Sequence, residues 1–168
     1  GLNPVNTVGA ATVNLHNLLF DHLIALDPQS FLLVPRLAEA MPTVSEDKLS
    51  LTFKLRKDVF FAYGQPMTSK DVVFSFKALM NPFVSSAPRR VDLQNFSDCI
   101  ANDAHTVVFK LQNSGPFNLN RLAINFFIIP KHIYDPNNLS DGYSAMDARY
   151  AADFPDSIQT PKKTAMME

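Results

Sequence analysis

Leu49-Ser50-Leu51-Thr52-Phe53-Lys54-Leu55-Arg56 alternates apolar and polar residues without a break. A period of two is the pattern of a strand with one buried face and one wet face. Farther along, Thr68-Ser69-Lys70-Asp71-Val72-Val73-Phe74-Ser75-Phe76 changes period. Thr68 with Asp71 three residues on reads as a capping box, with Asp in place of the usual Glu. Val72, Val73, Phe76, Leu79 and Met80 then fall on one apolar stripe of a helix that starts at Thr68, and Phe74 lies off that stripe. Asn81-Pro82 ends the helix.

The flanks extend this pattern in both directions. Before the strand, Ser45-Glu46-Asp47-Lys48 is turn-like, so residues 41–44 are predicted to pair with it as a hairpin. Residues 12–20 read as a helix that Thr12 can cap, 22–26 as a strand, and 35–40 as a short helix with Pro35 in its first turn. Residues 59–63 form a short predicted strand stopped by Gly64 and Pro66. After the 68 helix, residues 91–101 and 106–112 read as two strands of a hairpin around Asn102-Asp103-Ala104-His105. Residues 116–122 look helical, 126–129 read as a buried strand, 130–134 as one helical turn, and 145–152 as a last helix before a polar tail. Short strands linked by turns and mixed with helices favour an α+β layer fold with a largely antiparallel sheet.

Composition narrows the function classes. Hydrophobic residues are 46% and charged residues 18%, which suits a globular core. Fourteen Phe and no Trp mean that the rings fill that core or line an apolar site. A net charge of −1 offers no field for nucleic acid, and the pairs Arg89-Arg90 and Lys162-Lys163 read as solvated surface. The single cysteine, Cys99, excludes an internal disulfide and a multi-Cys metal site, and its apolar-polar surroundings make it structural. No apolar run approaches the ~20 residues of a membrane span. No signal peptide is read in Gly1-Leu2-Asn3-Pro4, and this says nothing of where the parent protein resides.

Read together, Phe53, Leu55, Arg56, Val59, Phe61, Gly64, Pro66, Met67, Thr68, Asp71, Val72, Phe74 and Ser75 resemble the pattern of the family 5 extracellular solute-binding proteins, the oligopeptide and dipeptide receptors of ABC importers. Tyr63 and Ser69 depart from it, where Asp and Ala are usual. Flanking matches keep the same order: Leu2-Asn3-Pro4, Leu19-Phe20-Asp21-His22-Leu23, Pro35-Arg36-Leu37-Ala38-Glu39 and Ile129-Pro130-Lys131-His132. Many separate matches in one order are more specific than any short motif.

The resemblance implies a two-lobed, periplasmic-binding-protein-like fold, of which residues 1–138 would be the small subdomain of the first lobe and 139–168 a partly ordered C-terminal extension. It implies an extracytoplasmic receptor, periplasmic or extracellular, with a lipid anchor left open. The receptor would act as a monomer that captures a peptide or another small solute and delivers it to an ABC permease. It implies that Val8, Gly9 and Ala10 offer backbone groups to a bound peptide, and that most of the pocket belongs to the rest of the parent chain. Phe53, Leu55, Arg56, Gly64, Pro66, Thr68 and Asp71 are its structural motif. A sensing or interaction module on the same fold, and a peptidase, stay open as alternatives.

The residues themselves point away from catalysis. Asp71 is explained by its place in a first helical turn, where a carboxylate meets the helix dipole. Arg56, at a strand end, reads as one half of an ion pair. His16, His22, His105 and His132 contain no H-x-x-x-H pair, so no metal and no cofactor is expected. No G-x-S-x-G, Walker or Rossmann motif occurs, and no nucleophile stands with a legible base.

Overall fold

The computed structural model describes residues 19–81 and 87–142. The predicted helices over 12–20 (all but its last two residues) and 145–152, and the tail beyond them, lie outside the described residues.

The alternating stretch forms a strand, Ser50–Lys54, which is β4. The strands β3 (Thr43–Val44), β5 (Phe96–Asp103) and β6 (Thr106–Leu111) join it in an antiparallel sheet of order β3-β4-β6-β5. Both expected hairpins are therefore present. The register sets Leu51 opposite Phe109 and Phe53 opposite Val107, so the apolar halves of both alternations share one face. On the other face Lys110 Nζ donates to Ser50 Oγ at 2.9 Å. A second antiparallel hairpin is built from β1 (Ile24–Leu26) and β2 (Leu33–Pro35).

Helix α1 (Ser69–Met80) lies on β5 and β6. Asp71 supplies the carboxylate half of its capping box: Oδ2 accepts from the Thr68 N–H at 2.9 Å and the Thr68 hydroxyl at 3.1 Å. The short helices α2 (Ala87–Asp92), α3 (Asn118–Asn125) and α4 (Lys131–Tyr134) follow, then a 3₁₀ turn at Leu139–Gly142. Phe74 is as buried as the stripe residues of α1, which corrects the one-sided reading. The helix is covered on a second side by residues 126–131, where the Ile129 N–H donates to Ser75 Oγ at 2.8 Å.

The phenylalanines explain one another. The Phe109 ring meets those of Phe53, Phe76, Phe96 and Phe126 edge to face, at 5.8, 5.7, 5.8 and 5.5 Å between centroids. That geometry sets the positive edge of one ring against the negative face of another. All five are fully buried.

Four elements differ from expectation. Residues 35–40 are not helical, because Arg36 N and Ala38 N both donate to Leu23 O, and Glu39 N to Lys54 O, which draws the segment across two neighbours as extended chain. Residues 59–63 form a tight turn instead of a strand, with Gly64 at φ +85° and only an isolated bridge between Phe60 and Pro66. The expected strand over 91–101 begins as α2 and becomes β5 only at Phe96. Residues 126–129 are buried and extended but join no ladder; the Ile128 and Ile129 amides go to Asp21 O and Ser75 Oγ instead.

Cys99 lies on β5 with 3% of its surface exposed, and burial pushes its thiol well above the ordinary range. The thiolate is the reactive form. A disulfide reagent such as DTNB is expected to leave Cys99 untouched in native buffer and to label it fully in denaturant. Rapid labelling of the folded chain would show that β5 opens from the sheet.

Candidate functional site

The residues expected to touch a bound peptide, Val8, Gly9 and Ala10, lie outside the described residues. The motif residues have defined places. Phe53 and Leu55 are fully buried beneath the sheet's inner face. Arg56 pairs with Asp58 through Nη2 to Oδ2 at 2.8 Å and Nε to Oδ1 at 3.0 Å. That hydrogen-bonded pair holds the Asp58 carboxyl below its usual value. Gly64 takes the positive φ of the turn before Pro66, a conformation that side-chain-bearing residues rarely adopt. Tyr63 stacks on Phe61 with centroids 5.9 Å apart and meets His132 edge to face at 5.3 Å.

Asp71 does more than cap. Its Oδ1 accepts the Lys131 N–H at 2.9 Å, which ties the start of α1 to the start of α4. Ser75 continues the seam: its hydroxyl donates to Asp71 O at 2.7 Å and accepts from Ile129 N. Lys77 Nζ donates to Ser140 O at 2.8 Å, and Asp135 Oδ2 accepts from both the amide and the hydroxyl of Ser140. Lys131 Nζ approaches Asp135 at 3.7 Å and Asp141 at 3.2 Å. These charges serve the joint between α1, α4 and the 3₁₀ turn.

Several hollows open on the surface, and two of them differ in character. One, about 350 Å³, is apolar and lined by Leu37, Phe61, Tyr63, Met67, Ile128 and Tyr134. The other, about 580 Å³, is polar, with Asn95, Gln112, Asn113, Asn118 and Arg121 along it. Neither brings a nucleophile to a base. Among the described residues no group of three His, Cys, Asp or Glu is placed to hold a metal ion.

The basic pair Arg89-Arg90 is not the solvated surface expected of it. Arg90 donates from Nε to Leu79 O at 3.2 Å and from Nη2 to Asn81 O at 2.5 Å, covering carbonyls at the end of α1. Arg89 keeps 6% of its surface, and its guanidinium carbon sits 5.0 Å from the centroid of the Phe127 ring. His22 packs on the same ring at 4.2 Å, and its Nδ1–H donates to Phe126 O at 2.9 Å. Burial depresses the His22 pKa, so this imidazole is neutral near pH 7. Sequence reasoning missed Arg89; the pairing of an arginine with a phenylalanine on a distant segment leaves no local signal.

Residues 33–162 match the model of the family described as "Bacterial extracellular solute-binding proteins, family 5 Middle". The chain belongs to the family 5 extracellular solute-binding proteins. This is a family of binding receptors and not of enzymes. The chain is 32% identical over 123 residues to Protein XP55 of Streptomyces lividans, covering 71% of this chain and 22% of that protein. It is 28% identical over 145 residues to the periplasmic murein peptide-binding protein MppA of Escherichia coli, covering 77% of this chain and 26% of MppA. The chain thus spans about a quarter of these relatives. Its fold matches that of Listeria monocytogenes OppA bound to peptide, with a TM-score of 0.74 at 20% identity, over 82% of this chain and 30% of that one. The mixed, largely antiparallel architecture is therefore that of one part of a two-lobed family 5 receptor.

Proposed function

We propose that this chain forms a wall subdomain of the first lobe of an extracytoplasmic receptor that captures a peptide or similarly small solute and delivers it to an ABC permease. The observation that carries the reading is the fold shared with a peptide-bound receptor over most of this chain. A murein peptide-binding relative supports peptide as the cargo class. Closure of two lobes around the solute would present one defined shape to the permease. Val8, Gly9 and Ala10 would offer main-chain groups, which recognise extended peptides independently of side chains. The setting would be periplasmic or extracellular, and the energy for transport would come from a separate ATPase.

The seams described above serve packing, so this chain contributes a scaffold more than a pocket. Calorimetry with a pool of di- to tetrapeptides tests this. The intact receptor is expected to bind from the pool, and the 168-residue chain alone is expected to give no heat. Micromolar binding by the chain alone would move the solute site into it. Cleavage of the pool that is lost on mutating one carboxylate would instead favour a peptidase.

A further inference from the structure

Arg89 stands apart from the other deeply buried cations. Lys77 and Lys131 are answered by Ser140 O and by Asp135 and Asp141. Arg89 Nη1 is enclosed and has no hydrogen-bond partner among the described residues. No carboxylate lies within ion-pair distance of it among those residues; Asp21, next to His22, is paired with Arg36 at 3.3 Å. Its pKa is lowered by burial alone, with no acid acting in the other direction. The neighbouring His22 is neutral and lends no negative charge.

An enclosed guanidinium without a counter-charge is costly, and removal of one partner of a buried ion pair is strongly destabilising. Phe127 meets the guanidinium through its ring quadrupole and carries no counter-charge. The in-plane N–H groups are shaped for the two oxygens of a carboxylate. Arg90, bonded to the end of α1, fixes the helix that carries Arg89, so the guanidinium is set in place before any partner arrives.

We infer that Arg89 is an anchoring residue for a carboxylate brought from outside the described residues, either by the bound solute or by another part of the receptor. The solute source rests on the receptor reading given above; the second source does not. Both share one chemistry, a carboxylate forked on Nη1 and its neighbours.

The test uses the intact receptor and its R89M variant, which keeps similar volume without charge. The probes are Ala-Phe-Ala and its C-terminal amide. If the solute supplies the carboxylate, the receptor prefers the free acid at least tenfold, and R89M loses that preference while still binding the amide. If the receptor's own chain supplies it, R89M binds both probes as the parent does but melts at a lower temperature at pH 7. A carboxylate paired with Arg89 has a folded pKa below its unfolded value near 4. Its stabilisation is present above that value and is lost as pH falls through the folded pKa. The difference in Tm then shrinks toward pH 3.

The inference is overturned if R89M matches or exceeds the parent in Tm with both affinities unchanged. It is also overturned if both affinities are unchanged and the loss in Tm is the same at every pH, which would reflect packing on Phe127 alone. A receptor that binds neither probe would count against peptide as the cargo, and the dependence of Tm on pH would still decide the role of Arg89.

Discussion

Phe109→Ala is expected to remove about 4 kcal/mol of folding stability, within the range for emptying a buried phenylalanine site. The size follows from position. Phe109 is fully enclosed on the central strand β6 and touches four other buried rings edge to face. Two of its neighbours, Phe53 and Phe96, sit on the flanking strands β4 and β5; Phe76 comes from α1, and Phe126 from the extended segment before α4. Truncation removes the hub that all four share, and five separate backbones cannot collapse together to fill the space. A domain of this size has only about 5–15 kcal/mol to lose. Phe109→Leu keeps much of the volume and is expected to cost roughly half as much. Denaturant unfolding followed by circular dichroism measures both. A loss below about 1 kcal/mol for the alanine variant would mean that the aromatic cluster is not the core. Phe31 is the control: 74% exposed at the hairpin tip, it is expected to tolerate the same truncation with little change.

The elements that carried a strong local pattern were legible from the residues. The alternation through Leu51 and Phe53, the helix started by Thr68 and Asp71, and the hairpin around Ala104-His105 are all present. What was not legible was decided by partners distant in sequence. Arg36, Leu37 and Ala38 have acceptable helix propensity, but their amides go to His22 O and Leu23 O, and Arg56 N returns to Leu37 O. Tertiary pairing overrode propensity there. Ile128 and Ile129 have the composition of a core strand; a serine hydroxyl and a lone carbonyl took the amides that a ladder would have used. The candidate site was least legible for the same reason. The Arg89-Arg90 dipeptide looks like surface, and only the approach of Phe127 and the end of α1 turns it inward. The family resemblance rested on residues such as Gly64 and Asp71, each explained by one local requirement, a positive φ and a helix start.

Asp71→Ala is the second large effect, about 3 kcal/mol, because three donors depend on one carboxylate. Leaving a buried donor unanswered costs about 1–3 kcal/mol. Two of the three, the Thr68 N–H and hydroxyl, lie at the helix start, where water can partly replace the carboxylate. The third, the Lys131 N–H, is buried, and water reaches it poorly. The variant should therefore lose more than a simple helix cap, which is typically worth about 1 kcal/mol. Asp71→Asn keeps one oxygen for one donor but sets an NH₂ against another N–H, so an intermediate loss is expected. Ser75→Ala cuts the adjacent tie between α1 and Ile129, and the two changes act on one seam. Their combined loss should differ from the sum by about 0.5–3 kcal/mol, as for coupled neighbours. Hydrogen exchange gives the decisive readout: the Lys131 and Ile129 amides should lose protection in Asp71→Ala while the β4–β6 amides keep theirs. A loss under about 0.5 kcal/mol, with Lys131 still protected, would show that α4 docks without the carboxylate, since a surface change has no larger effect. The aspartate would then be only a helix cap, and the coupling of α1 to the segment that closes the fold would have to come from Ser75 and Lys77.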